Sequence, residues 1–234
     1  MNPTSKTAIL TGAAGSLGKA VAVAFETAGW SLALLDIQEK FLHAAYPQAD
    51  AKKLLLAADL MDAASAAKAV EATQSRFGRI DALCNIAGGF AMGTPVHATS
   101  AADWQKMQDL NAGTLLNIVR AVTPKMLAQG GGKIVNIGSL AGLKAGAQMG
   151  AYSAAKSAVI RITEAMSAEL REHNINVNCV LPSIIDTPPN RASVPGADFS
   201  KWVAPSDLAN VILFLCSDSS RAIHGAAIPV VGLS

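Results

Sequence analysis

Charge is scarce in this sequence of 234 residues: Asp, Glu, Lys and Arg make up 15% of it against 51% hydrophobic residues, and the formal net charge is only +2. The cations are scattered rather than gathered on one predicted helix, so no electrostatic footprint for a nucleic acid is present. Cysteine is equally sparse. Cys84, Cys179 and Cys216 stand apart in apolar runs, spaced neither as metal ligands nor as a disulfide framework, and are expected to be reduced packing residues. His43, His97, His173 and His224 also lack metal-ligand spacing, and no metal is expected. No uncharged apolar stretch reaches the roughly 18 residues needed to span a bilayer, and residues 1–6 hold no apolar signal core. These absences predict a soluble, cytoplasmic protein without nucleic-acid or membrane contact, whose partner is a small molecule.

What the sequence does contain is a regular alternation. Short apolar runs suited to buried parallel strands recur at Ala8–Leu10, Leu32–Leu35, Leu54–Ala57, Ala82–Ile86, Ile134–Ile137, Val177–Leu181 and Ala226–Val231. Between them, helical spacing runs over Leu17–Ala28, Ala63–Phe77, Ala102–Gln129, Ala151–His173 and Ser206–Cys216. Gly29, Gly78, Gly130 to Gly132 and Gly225 are placed as helix terminators, and Pro124 should bend the long third helix. The expectation is one α/β domain over residues 1–234, a doubly wound Rossmann fold with a seven-stranded parallel sheet and helices on both faces. Residues 186–205 hold four prolines and no clear periodicity, and read as one long ordered loop over a ligand site.

The first strand runs into Thr11-Gly12-Ala13-Ala14-Gly15-Ser16-Leu17-Gly18 and then a helix. Such glycines let backbone approach a pyrophosphate, whose charge is stabilised by free N–H groups and the positive helix end. Eighteen residues after Gly18, Asp36 ends the second strand, where a carboxylate accepts from adenosine ribose hydroxyls and repels a 2′-phosphate. No Arg or Lys between Gly12 and Leu17 compensates that repulsion, which favours NAD over NADP.

These residues resemble the short-chain dehydrogenase/reductase family, whose loop reads Thr-Gly-x-x-x-Gly-x-Gly; Ser16 stands in place of the middle glycine, with Gly15 beside it. The resemblance continues through Asp59-Leu60, Asn85-Ile86-Ala87-Gly88, and Pro182-Ser183-Ile184-Ile185-Asp186-Thr187, where Ser183 replaces the family's glycine. It implies dinucleotide contacts at Gly12, Gly15, Ser16, Leu17, Gly18, Asp36, Ile37, Asp59, Leu60, Asn85, Ala87, Gly88, Pro182, Ile185 and Thr187, with Tyr152 and Lys156 at the nicotinamide end.

Tyr152 and Lys156 open a predicted helix at i, i+4 spacing, which places phenol and ammonium on one face. Ser139 lies thirteen residues before the tyrosine, and Asn111 lies in the preceding long helix. All four match the family's Asn, Ser, Tyr, Lys set. The resemblance implies Tyr152 as general acid/base between NAD(H) and an alcohol or carbonyl compound, Lys156 lowering its pKa, Ser139 holding the substrate oxygen, and Asn111 holding a relay water. It further implies a homodimer or homotetramer through 103–129 and 151–173. Two alternatives stand beside this reading. Residues 186–202 are locally similar to dihydropteridine reductases, and some relatives in the wider superfamily bind the dinucleotide only to sense it. Within that segment, Arg191 is a candidate for selecting the substrate or for pairing with Asp186 or Asp198.

Overall fold

The computed structural model describes residues 5–48 and 50–234. Seven strands, β1 (Thr7–Thr11), β2 (Ser31–Asp36), β3 (Lys53–Ala57), β4 (Ala82–Asn85), β5 (Gly132–Ile137), β6 (Ile175–Pro182) and β7 (Ala227–Val230), form one parallel sheet in the order β3-β2-β1-β4-β5-β6-β7. The apolar runs become strands because both faces are covered: Ile9 pairs in register with Ala33 and with Leu83, and all three are fully buried.

Helices α1 (Ser16–Thr27) and α8 (Pro205–Leu215) cover one face, where Val21, Phe25, Leu208 and Ile212 share a core with Leu10, Leu34 and Val180. Helices α3 (Ala63–Phe77), α5 (Thr114–Gln129) and α6 (Gly150–Leu170) cover the other, with Val70, Ile118 and Val159 packed on Ile9 and Ile134. Each such fully buried side chain contributes roughly 1.5–3 kcal/mol relative to exposure. Strand order reverses between β1 and β4, and in open parallel sheets ligands bind outside the carboxyl ends at that point.

Four details depart from the sequence reading. A helix absent from it, α2 (Glu39–Ala45), follows β2; seven residues are too few to show a period. The long helix over 102–129 is divided into α4 (Ala101–Gln108), a π turn at Asp109–Gly113, and α5. In that turn Asn111 Nδ2 donates to the Met107 carbonyl at 3.0 Å, taking the acceptor that the Asn111 backbone N–H would use in an α-helix. Gly225 terminates no helix; it is the turn before β7, its N–H on Val177 O at 2.9 Å. Residues 186–205 are not one loop but α7 (Pro188–Ser193), a 3₁₀ turn at Phe199–Lys201, and a bridge from Ile185 to Val203 that folds the segment back on itself.

Candidate active site

The carboxyl ends of β1, β2 and β4 open on a cleft of about 810 Å³. One wall is the glycine loop. Gly12 adopts a left-handed φ of 62°, and a Cβ there would stand 3.0 Å from the Ala87 backbone. A Cβ on Gly18 would meet Ala13 at 2.7 Å and overlap the Gly12 carbonyl. Helix α1 begins on Gly15 with no side-chain cap, so its first N–H groups face the cleft without an internal acceptor. Ser16, which departs from the family loop, is the first residue of α1 and lines the cleft beside Leu17.

The loop is gripped from β2 and α2. Ala13 N–H donates to Leu35 O at 3.0 Å, Ala14 N–H to Asp36 Oδ2 at 3.0 Å, and the Tyr46 hydroxyl to Ala13 O at 2.7 Å. Burial, and then the Asp36 and Glu26 charges, push the Tyr46 phenol well above its ordinary pKa and keep it a donor. Phe41, Ala44 and Ala45 of α2 and the exposed Met61 line the Asp36 end of the cleft and, with Tyr46 behind the loop, were not legible in the sequence. Asp36, Ile37, Asp59 and Leu60 line the same end; Asp59 Oδ1 also accepts from Met61 N–H at 2.9 Å. The orphaned helix N-terminus, the cradle that Cβ atoms would fill, and the carboxylate at the end of β2 all fit a dinucleotide.

At the far end, Ala87, Gly88, Ile185 and Thr187 line the cleft, Thr187 also capping α7 through Asn190 N–H at 3.4 Å. Asn85 and Pro182 lie off it. The Asn85 amide donates to Asn136 Oδ1 at 2.8 Å inside the sheet, and Pro182 closes β6 against Val230. Ser183 finds a use that a glycine could not supply: its hydroxyl donates to Val231 O at 3.0 Å and pairs with Ser234 at 2.8 Å, fastening residues 231–234 beside the site.

Tyr152 and Lys156 stand on the first turns of α6, with the Lys156 Nζ 5.9 Å from the Tyr152 ring centroid. Lys156 is buried and donates to Ile137 O at 2.8 Å; burial holds its ammonium down to about 8. Burial pushes the Tyr152 phenol up, and the neighbouring Ser139 hydroxyl opposes this. Ser139 Oγ also accepts from Ala141 N–H at 3.1 Å, which fixes its direction after β5. Asn111 clasps Gly89, accepting its N–H at 3.3 Å and donating to its carbonyl at 3.1 Å. Gly88 lies between the two: a Cβ there would stand 2.8 Å from Asn111 Oδ1 and 3.5 Å from Lys156 Nζ. The structure thus brings Asn111, Ser139, Tyr152 and Lys156 to one end of the cleft.

Arg191 makes a two-pronged pair with Asp186, at 2.5 and 2.6 Å, and lies over the Phe199 ring at 4.8 Å, which turns against Trp202. Of the two roles open to it in the sequence, this is the architectural one.

A parallel sheet with a phosphate-type cradle at its switch point and a Ser, Tyr, Lys set alongside defines a dinucleotide-dependent oxidoreductase. The chain belongs to the short-chain dehydrogenase family, whose model matches residues 6–197. It is 32% identical to a D-threitol dehydrogenase of Mycolicibacterium smegmatis, over 97% of this chain and 92% of that protein. An NAD-dependent glycerol dehydrogenase of Listeria innocua is also 32% identical, over 99% and 94%. The crystal structure of an NAD+-bound xylitol dehydrogenase superposes with a TM-score of 0.90 at 26% identity, covering 97% of this chain and 98% of that one. The protein is accordingly an oxidoreductase that exchanges hydride between a nicotinamide dinucleotide and an alcohol or carbonyl compound. Among the described residues, no helix is long and apolar enough to cross a membrane.

Proposed function

We propose that this protein is an NAD-dependent secondary-alcohol dehydrogenase or ketone reductase in which Tyr152 is the general acid/base. The observation that carries this is the buried Lys156 ammonium, held on Ile137 O one helical turn from the Tyr152 phenol, with the Ser139 hydroxyl beside that phenol. The nicotinamide, when bound, takes or gives the hydride; the residues manage the proton. Ser139 holds the substrate oxygen toward Tyr152, a preorganised donor where charge develops on that oxygen. In oxidation the phenolate takes the hydroxyl proton, and in reduction the phenol returns one. Lys156 has two N–H donors left after Ile137, enough for the nicotinamide ribose hydroxyls, and its positive charge favours the phenolate. Asn111 braces the Gly88–Gly89 backbone against which the lysine rests.

Preference for NAD rests on Asp36, with Ile37 rather than a cation after it and the apolar Phe41, Ala44 and Ala45 on the facing helix. Exposed Lys19 also lines the cleft, but it stands on α1 beyond the phosphate cradle. A spectrophotometric screen of both dinucleotides against secondary alcohols tests the assignment; turnover with NADP alone would refute it. Self-association through α5 and α6 accompanies this reading. Leu116 and Leu127 are exposed on α5 and Ile162 is half-buried on α6, whereas Ile118, Val119 and Met166 serve the subunit's own core. Sedimentation at micromolar concentration should show more than a monomer.

A further inference from the structure

Resting on that reading, we propose that the mouth beside Tyr152 selects a neutral, ring-sized apolar ketone or secondary alcohol rather than a polyol. The relatives named for threitol and glycerol would suggest the opposite. Three short segments meet at the tyrosine. After β4, Phe90 stands edge-on to the Tyr152 ring at 4.9 Å, and Met92 follows it. After β5, the turn at Leu140–Gly142 packs so tightly on α6 that a Cβ on Gly142 would lie 2.8 Å from the Lys156 backbone, and Leu143 projects from its end. Before α6, Gln148 takes a left-handed φ of 61°, rare for a residue with a side chain, and its carbonyl accepts from Gly93 N–H at 3.0 Å. That bond pins the segment carrying Phe90 and Met92 against the one carrying Met149.

The result is a collar of large apolar side chains held open to solvent: Phe90 is 56% exposed, Met92 59% and Leu143 58%. Behind Phe90 lies a cavity of about 350 Å³ reached by Met92, Met107 and Met149. Ligand sites run from roughly 300 to 1,000 Å³, so this one suits a single ring. Of the five polar side chains that line it, two are engaged. Asp103 is bonded to Ser100 at 2.7 Å and the Thr99 hydroxyl to Pro95 O at 3.2 Å, while the Thr94, Lys106 and Gln148 side chains face solvent at its outer edge. Phe90, Met92 and Leu143 offer no hydrogen bond to replace the water that a polyol placed against them would surrender. A cycloalkyl body would instead remove its own apolar surface and the collar's from water.

The test compares kcat/KM for cyclohexanol and 4-alkylcyclohexanols with that for glycerol and xylitol, in the wild type and in Phe90→Ser and Leu143→Ser, with dinucleotide Kd and melting temperature measured on each. The expected result is a preference of roughly tenfold or more for the cyclic alcohols, lost chiefly through KM in both variants, with Kd and melting nearly unchanged. Equal or better turnover of glycerol or xylitol overturns the apolar selection and leaves the hydride-transfer assignment standing. Tight dinucleotide binding with no turnover of either class overturns that assignment, and the selection with it.

Discussion

Asp36 and Ala14 are joined by a hydrogen bond of 3.0 Å, so the carboxylate proposed to meet the adenosine ribose also holds the glycine loop in shape. Its other oxygen accepts from Ile37 N–H at 2.9 Å. Each oxygen keeps a lone pair for a ribose hydroxyl. Asp36→Asn, which retains an acceptor for Ala14 while removing the charge, should narrow the NAD-over-NADP preference by on the order of tenfold. Titration of both dinucleotides into each protein checks this, and an unchanged ratio would assign the aspartate to the loop alone.

Tyr46 offers a cleaner probe of the same loop, because its hydroxyl bonds the Ala13 carbonyl while its ring packs on the core, a packing that Phe would keep. Tyr46→Phe should weaken dinucleotide binding by roughly three- to tenfold, the scale of one hydrogen bond of about 1 kcal/mol. At saturating dinucleotide, kcat should match the wild type, since Tyr46 lies at the opposite end from Tyr152.

Glycine positions in the loop should differ sharply. Gly15 has an ordinary φ of −70° and only the Gly12 carbonyl, at 3.3 Å, near a Cβ, so Gly15→Ala should bind the dinucleotide almost normally. Gly18→Ala would drive its methyl into Ala13 and should raise Kd by roughly tenfold or more. Comparable losses in both variants would mean that the loop tolerates no side chain at either place.

Tyr152→Phe should lower turnover by roughly a hundred- to ten-thousandfold and leave dinucleotide affinity close to wild type. Because burial holds the phenol above its ordinary pKa, wild-type alcohol oxidation should rise with pH through the alkaline range, where more phenolate forms. A rate independent of pH from 6 to 10, with chemistry limiting, would remove Tyr152 from the role.

Lys156 links activity to stability. Its folded pKa of about 8 lies below the ordinary 10.5, so between those values the unfolded chain binds more protons and stability rises with pH. Below pH 8 the whole cost of a buried ammonium is present. Lys156→Met should therefore be inactive yet melt higher at pH 7, on a scale of about 2–4 °C per kcal/mol, with part of the gain offset by the unbonded Ile137 carbonyl. The advantage should shrink toward pH 10, and differential scanning calorimetry at both pH values would reveal it.

Much of this was legible in the sequence. Continuous apolar runs such as Ala8–Leu10 and Val177–Leu181 can satisfy only a sheet covered on both faces, and the glycine loop and the Tyr152–Lys156 spacing carry their chemistry locally. What escaped depends on contacts distant in sequence. Tyr46 acquires its role by reaching across 33 residues to Ala13, and Gln148 by its bond to Gly93. Asn85 adds a second case: its motif suggested the cofactor, and its amide N–H also donates to Asn136, 51 residues away. Arg191 is held by Asp186 five residues before it, a pairing the sequence allowed but could not rank above substrate contact.

The π turn at Asp109–Gly113 acts as a shift of reading frame in three dimensions. The buried stripe of α5, at Leu115, Ile118, Val119, Val122 and Met126, would continue backward through Gln108 and Trp104 if the helix ran on as α. One additional residue in the turn rotates everything before it by about 100°. Met107 is buried in the place that Gln108 would have taken, and Trp104 is left 44% exposed. A single rod is thereby given two working directions, its second half packed on the sheet and its first half turned to the mouth. Removing Asp109 alone would restore the phase, drag Gln108 into the core and swing Met107 out of the cavity, while Asn111, Ser139, Tyr152 and Lys156 would all remain in the chain.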